Sequence, residues 1–576
     1  MSHVAPGIYT KIIDLSTYVQ NVPSTIGFLP IISEQGLDNE LVLTTTDTFY
    51  RDYGNPNLDY AGKSFSQGPY IASNFLTQSG ALYIIRCLPS DACYSSVALH
   101  MTTDATYPAI DASVVLAPIM STDISSLTTL DAIVDESVIQ SPPVEGQIYV
   151  DATIAVIYGI GRGEWYNNFG VSLTPYANNP TQYLIQIEQK QKVPDSAGNA
   201  VYAPIETYTI SFDPTVKDAS GDSMFIEDVI NTYSTYLRCK ANRGTAKNRI
   251  YTMYHTASNI VADPLSSAIL SNGNSGSLFD SSTHLVDASV AENILVNCLT
   301  GGLVKPDGEL LDSVTNPEEE YFSLLFDAGY PANVKTSIVN LAKKLRQDCI
   351  SIIDNGDNNS VSVAISQRTD LTGITTGINT FYSAIFEPYT KIYDRFQGRD
   401  IWISPVYHMA SIIPYTDDTT DLWYAPAGFN RASISGVTQM RFNPTLAQRD
   451  SMYLAQLNPI VKFRSGMAVY SQLTAQRKSS EMSNINVTRL VLYCKRAIAN
   501  FCKNYIFEFN NAATWSEIKN EINDFLSTIQ TSQGLRSYSV AVGATEYQMK
   551  AKQCHVNVTL DPMSCIEQIL LNFYIT

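Results

Sequence analysis

The chain has 576 residues, enough for three or more domains, with 45% apolar and only 16% charged residues and a formal charge of −18. That acidity excludes a general nucleic-acid binder, whose footprint would be basic, and no window approaches the roughly 18 apolar residues of a transmembrane helix. The nine cysteines and six histidines are scattered, with no Cys-x-x-Cys or His-x-x-x-His pair, which argues against a zinc site, a disulfide framework or a metal cofactor and for a reducing compartment during synthesis.

In chain order, residues 1–13 lack the continuous apolar core of a signal peptide. Residues 4–15 read as an extended arm, because Pro6 and Gly7 disfavour a helix. Residues 25–32 form an apolar strand, 49–57 end a short helix in turn chemistry, 70–77 are a helix and 81–87 a buried strand. From 95 to 241 the pattern changes to short strands, including 147–158 and 183–189, with a hairpin tip at 195–199. Such a β-rich insertion decorates a surface. The Gly, Ser and Asn of 271–277 read as a flexible linker. Beyond it, 321–326 is an apolar strand, Val334, Ile338, Leu341 and Leu345 mark a helix, and 348–353 is a second strand. Those lengths predict a parallel βαβ unit, with a further strand at 401–405.

The last stretch, 447–576, reads as a docking unit. A helix over 487–505 carries Leu490, Val491, Cys494, Ile498, Phe501 and Tyr505 on one face, and Arg489, Arg496 and Lys503, seven apart, on the other. Thr514 and Glu517 form a capping box before a second helix marked by Ile518, Ile522, Leu526 and Ile529. Alternating strands follow at Tyr538, Val540 and Val542, at Val556, Val558 and Leu560, and at Leu571, Phe573 and Ile575. A chain ending in a strand needs a partner for it, its own sheet or a neighbour's. Abundant tyrosine, 35 in all, suits extensive protein contacts and also strands.

Chemistry is sparse. Asp327 and Asp354 follow the carboxyl ends of the presumed parallel strands, where α/β proteins place ligand-binding groups, and are the best enzyme candidates; turn or N-cap aspartates look the same in sequence. Gly159, Gly161 and Gly163 lack the spacing of a phosphate loop. Between Lys462 and Lys503 eight bases face one acid, Glu481, a local excess of +7 that points to an anionic partner. Aromatics do not interleave with these bases, which makes nucleic acid a poor candidate for that partner.

The ordered motifs resemble those of contractile bacteriophage tail sheath proteins. Ala5-Pro6-Gly7-Ile8-Tyr9 is similar to the family's opening, and Tyr53-Gly54-Asn55-Pro56 and Ala81 to Arg86 to its turn and strand. Gly163-Glu164-Trp165-Tyr166-Asn167 departs from the family's Gly-x-Trp-Gly-Asn at Tyr166. Trp423-Tyr424-Ala425-Pro426-Ala427-Gly428, Asn458-Pro459-Ile460, Ile485-Asn486-Val487-Thr488-Arg489-Leu490 and Phe507-Glu508-Phe509-Asn510 follow its later segments in order.

The resemblance implies an α+β multidomain protein. Its parts would be an N-terminal extended arm (1–22), the first part of the sheath core (23–94), a β-rich outer insertion (95–241), an α/β domain likened to subtilisin without its active site (242–445), a C-terminal α+β sheath domain (446–565) and a C-terminal strand arm (566–576). It also implies a structural role without catalysis or cofactor: a helical homo-oligomer around an inner tail tube protein, bounded by baseplate and tail terminator proteins. Nucleic acid and membrane are not direct partners. Such a sheath is assembled in the host cytoplasm and lies in the virion, where contraction drives the tube through the host envelope. A bacteriocin-like or secretion-type contractile system is the alternative, and an α/β hydrolase-like enzyme using Asp327 and Asp354 a distant one. Inter-subunit contacts would use Pro6, Ile8, Tyr9, Ile12 and Ile13 of the N-terminal arm and Leu571, Phe573 and Ile575 of the C-terminal strand. Arg489, Arg496 and Lys503 would face the tube.

Overall fold

The computed structural model describes residues 25–103, 116–121, 152–176, 182–212, 214–241, 266–280, 282–567 and 569–571. Its centre is a nine-stranded sheet. From one edge the order is Ser433–Ile434, Gly466–Val469, Asn458–Phe463, Ser383–Glu387, Ile350–Asp354, Leu324–Phe326, Gly27–Ile31, Leu82–Arg86 and Val42–Thr44. The six strands from Asn458–Phe463 to Leu82–Arg86 run parallel, and antiparallel strands flank them at both edges. Gly27–Ile31, Ile350–Asp354 and Ser383–Glu387 are buried at every position, as parallel strands covered on both faces must be. Two helix pairs pack with this sheet: Gly68–Leu76 with Val406–Thr419, and Ala288–Thr300 with Ala332–Asn340.

The βαβ unit expected around residue 330 is present, but the helix Ala332–Asn340 passes into a π-helical turn, Leu341–Arg346, before the strand Ile350–Asp354. The further strand expected at 401–405 is present as Arg399–Ile403. It joins Thr390–Asp394 and Val437–Met440 in a separate antiparallel sheet.

The β-rich unit holds two four-stranded sheets around one core that includes Val97, Ile157, Phe169, Ile185, Phe225 and Leu270. It extends past 241, because Ser266–Ile269 pairs with Phe169–Pro175. The Gly/Ser/Asn run over 271–277 is therefore no free linker. Ser271 exchanges backbone hydrogen bonds with Ser96, and Asn274 does so with Cys93. Gly273 lies so close to Ser95 and the Gly163 carbonyl that a Cβ would collide with both.

The third unit is the helix pair Ile485–Lys503 and Ala512–Thr531 with the hairpin Leu535–Gly543 and His555–Pro562, around Leu490, Cys494, Ile522, Leu526 and Val540. Asn511, not Thr514, caps the second helix, accepting hydrogen bonds from the Ala513 and Thr514 amides. Asn458–Phe463 and Gly466–Val469, expected in the C-terminal domain, belong to the large sheet. The boundary thus falls after them rather than at 445.

Candidate functional site

The carboxyl edge of the parallel sheet is where a ligand would be sought first. There the structure brings Asp327 and Asp354 together, as their strand-end positions anticipate, and adds Lys335, which sequence reasoning missed. Lys335 reaches in from the helix Ala332–Asn340; its Nζ is 3.0 Å from Asp354 Oδ1 and also pairs with Asp327 Oδ2. The side chains are 0–1% exposed. The Tyr330 and Asp354 amides donate to Asp327 at 3.1 Å, while Gly356 N–H, Ser404 Oγ and Tyr389 OH donate to Asp354 at 2.7, 2.6 and 3.2 Å.

Two carboxylates share one ammonium here, closed off from bulk solvent that would stabilise the excess charge. Burial pushes Asp327 up to about 7, against the pull of Lys335. Burial also opposes ionisation of Asp354, but Lys335, the Ser404 hydroxyl and the Gly356 amide outweigh it and hold this carboxyl below its ordinary range. Burial disfavours the Lys335 cation as well, and the two aspartates more than restore it. With every member occupied by another, the cluster is built to bind its own parts. One signal could have found Lys335: it stands three residues before Ile338, on the helix face that meets the sheet.

The basic stripe does not survive as one surface. Arg489 is buried and its guanidinium is paired with Asp417 of the helix Val406–Thr419. Arg496 is half-buried over the Tyr321 ring, and burial lowers its pKa. Only Lys503 is exposed. The reason is packing on two sides: Leu490 and Cys494 enter the C-terminal core, whereas Ile485 and Leu492 enter the core of the large sheet. A helix wedged between two cores has no wide solvent face opposite its apolar one. Asp417 and Tyr321 lie far away in sequence, so no local pattern reveals them.

Of the expected inter-subunit residues, Pro6, Ile8, Tyr9, Ile12, Ile13, Phe573 and Ile575 lie outside the described residues. Leu571 is described, 74% exposed and in no strand. It ends an apolar tail with Ile566, Ile569 and Leu570, which are 82%, 75% and 87% exposed. Among the described residues the hairpin Leu535–Gly543 and His555–Pro562 is a two-stranded sheet with no further strand at either edge. The Gly159 to Gly163 run is structural. Gly161 abuts the Gly36 carbonyl where a Cβ would clash, and Arg162 forms a buried ion pair with Asp38 at 2.7 Å.

Comparison with known proteins assigns this architecture. Residues 307–475 match the phage tail sheath protein central domain and 477–576 the phage tail sheath C-terminal domain. The tail sheath protein of Vibrio phage KVP40 is 29% identical over 296 residues, which cover 46% of this chain and 44% of that protein. The tail sheath protein of Enterobacteria phage T4 is 26% identical over 246 residues, or 40% of this chain and 37% of that one. The match spans less than half the length of either relative. In fold, the chain is similar to the crystal structure of a sheath tail protein from Listeria innocua, with a TM-score of 0.55, 11% identity, and coverage of 94% of this chain and 92% of that one. Residues 307–576 thus carry the two consecutive domains by which phage tail sheath proteins are recognised.

Proposed function

We propose that the protein is a structural subunit of a contractile tail. It polymerises into a helical sheath around an inner tail tube, meets baseplate and tail terminator proteins at the ends, and contracts to drive the tube through the host envelope. The observation that carries this reading is the run of two consecutive tail sheath domains over residues 307–576, one on the large sheet and one on the hairpin unit.

Physical features support it. A hairpin of two strands is marginal by itself and gains from added strands. Arms from neighbouring subunits, 1–22 and 566–576, would supply them by main-chain pairing, which fastens the subunits while their bodies slide and rotate. Such a contact is heterologous and propagates into a helix. The exposed side chains of Ile566, Ile569, Leu570 and Leu571 fit the same need for cover. The six parallel strands would form the domain likened to subtilisin without its active site. The sealed Asp327–Lys335–Asp354 cluster favours a non-catalytic role, because no substrate reaches it. Of the basic stripe, Lys503 is left as the candidate tube contact.

Negative-stain electron microscopy of the full chain beside a variant lacking Met1 to Tyr18 tests the reading. Tubes from the full chain, with or without added tube protein, and none from the truncated variant are expected. Monodisperse particles from both, even with tube protein present, would overturn it.

A further inference from the structure

Between the β-rich unit and the large sheet lies a cleft of about 800 Å³ that the sheath reading leaves without a role. Its walls are aromatic. Trp165 and Tyr236 of the β-rich unit, with ring centroids 6.3 Å apart, stand on one side. Tyr50 and Phe396, 5.9 Å apart, stand on the other. All four rings are half-buried, so each packs on its neighbours and keeps part of its surface exposed.

The cleft also carries a chain of planar polar groups. Asn57 Nδ2 donates to Glu34 Oε1, Gln397 Nε2 donates to Asn57 Oδ1, Arg399 Nε donates to Gln397 Oε1, and Arg399 Nη2 donates to Asp59 Oδ1, all at 2.5–3.0 Å. Each link fixes the plane of an amide, carboxylate or guanidinium before any ligand arrives, and each group keeps further donor or acceptor capacity. Glu34 and Asp59 alternate with Arg399, so the row presents no field of one sign that would draw a polyion.

Fixed donors and acceptors side by side match the vicinal hydroxyls of a hexose, each of which donates and accepts. The exposed part of the rings offers apolar surface to the C–H face of the same sugar. Clefts at the junction of two units are a common place for small-molecule sites, and this one sets its rings among a majority of polar and charged side chains, as a ligand rich in hydroxyls requires. We infer that this cleft binds a neutral oligosaccharide, with Trp165 and Tyr236 as the stacking wall and Asn57, Gln397 and Arg399 as the hydroxyl-reading row. Phe396, Gln397 and Arg399 lie within the stretch matched to the central sheath domain, yet the inference requires no assembly and is tested by binding alone.

The test is binding of chitotriose and maltotriose to the purified full-length protein, followed by saturation-transfer NMR and titration calorimetry, with polyglutamate as the charged control. The two sugars separate an N-acetylhexosamine source, such as cell-wall glycan, from an α-glucan source. Binding of either, weakened at least 10-fold by Trp165→Ala and by Gln397→Ala, is expected. Because Trp165 also packs on Tyr166 and Phe169, Gln397→Ala is the deciding variant, with its melting temperature checked against the parent. Absence of binding to both sugars and to an array of neutral oligosaccharides would overturn the proposal, as would binding that Gln397→Ala leaves unchanged.

Discussion

Lys335 holds two aspartates where their side chains are buried from solvent, and removing it exposes how much that arrangement costs. Breaking a buried pair by deleting one partner costs about 3–5 kcal/mol, because the remaining charge is left without compensation. Lys335→Met is expected to lose that much at pH 8 in urea denaturation of the unassembled protein. The loss should shrink as the pH falls to 5. Without the cation both carboxyls gain pKa in the fold, so the folded state binds protons that the unfolded state releases, and stability is present at low pH and lost as pH rises. A deficit independent of pH would mean that Lys335 acts through packing alone. Asp327 and Asp354 were legible because a strand end is a local pattern. Lys335 was missed, because its spacing to Ile338 places it at the margin of the apolar face, where a lysine usually turns to solvent.

The helix Ile485–Lys503 shows what a helical wheel can and cannot supply. Its existence and its apolar stripe follow from spacing, but the stripe describes one core and this helix meets two. The second contact is a tie between units, Arg489 to Asp417, with both side chains 4% exposed. A double-mutant cycle of Arg489→Ala and Asp417→Ala should give each single variant a loss of about 3–5 kcal/mol, and the pair far less than the sum. Additive losses would show that the two charges are not coupled. Lys503→Glu, at an exposed position, should leave the melting temperature unchanged while weakening assembly on the tube. Charge reversal at Arg489 is a folding experiment, not a test of tube contact.

At the scale of the whole molecule, the order of the large sheet was out of reach of sequence patterns. Gly27–Ile31 lies between Leu82–Arg86 and Leu324–Phe326, and nothing local announces a partner three hundred residues away. The β-rich character of the insertion was legible from its short strands, but its end was not, since Ser266–Ile269 returns to it from beyond 241. One buried ion pair, Arg162 with Asp38, fastens that unit to the sheet domain. Asp38→Ala should cost about 3–5 kcal/mol and speed hydrogen exchange in Ala152–Gly159 and Ser96–Thr103 while Ile350–Asp354 keeps its protection. Equal acceleration in all three strands would mean that the two units open together. The chain leaves the sheet domain at Cys93 to Ser96 and comes back at Ser271 to Asn274, and these two passages are hydrogen-bonded to each other. A neck this narrow makes the intervening stretch the place where chain length can vary at little cost to the sheet, on one condition: a replacement has to keep Arg162 and Gly161, or supply their equivalents, because these residues cover Asp38 and the Gly36 carbonyl.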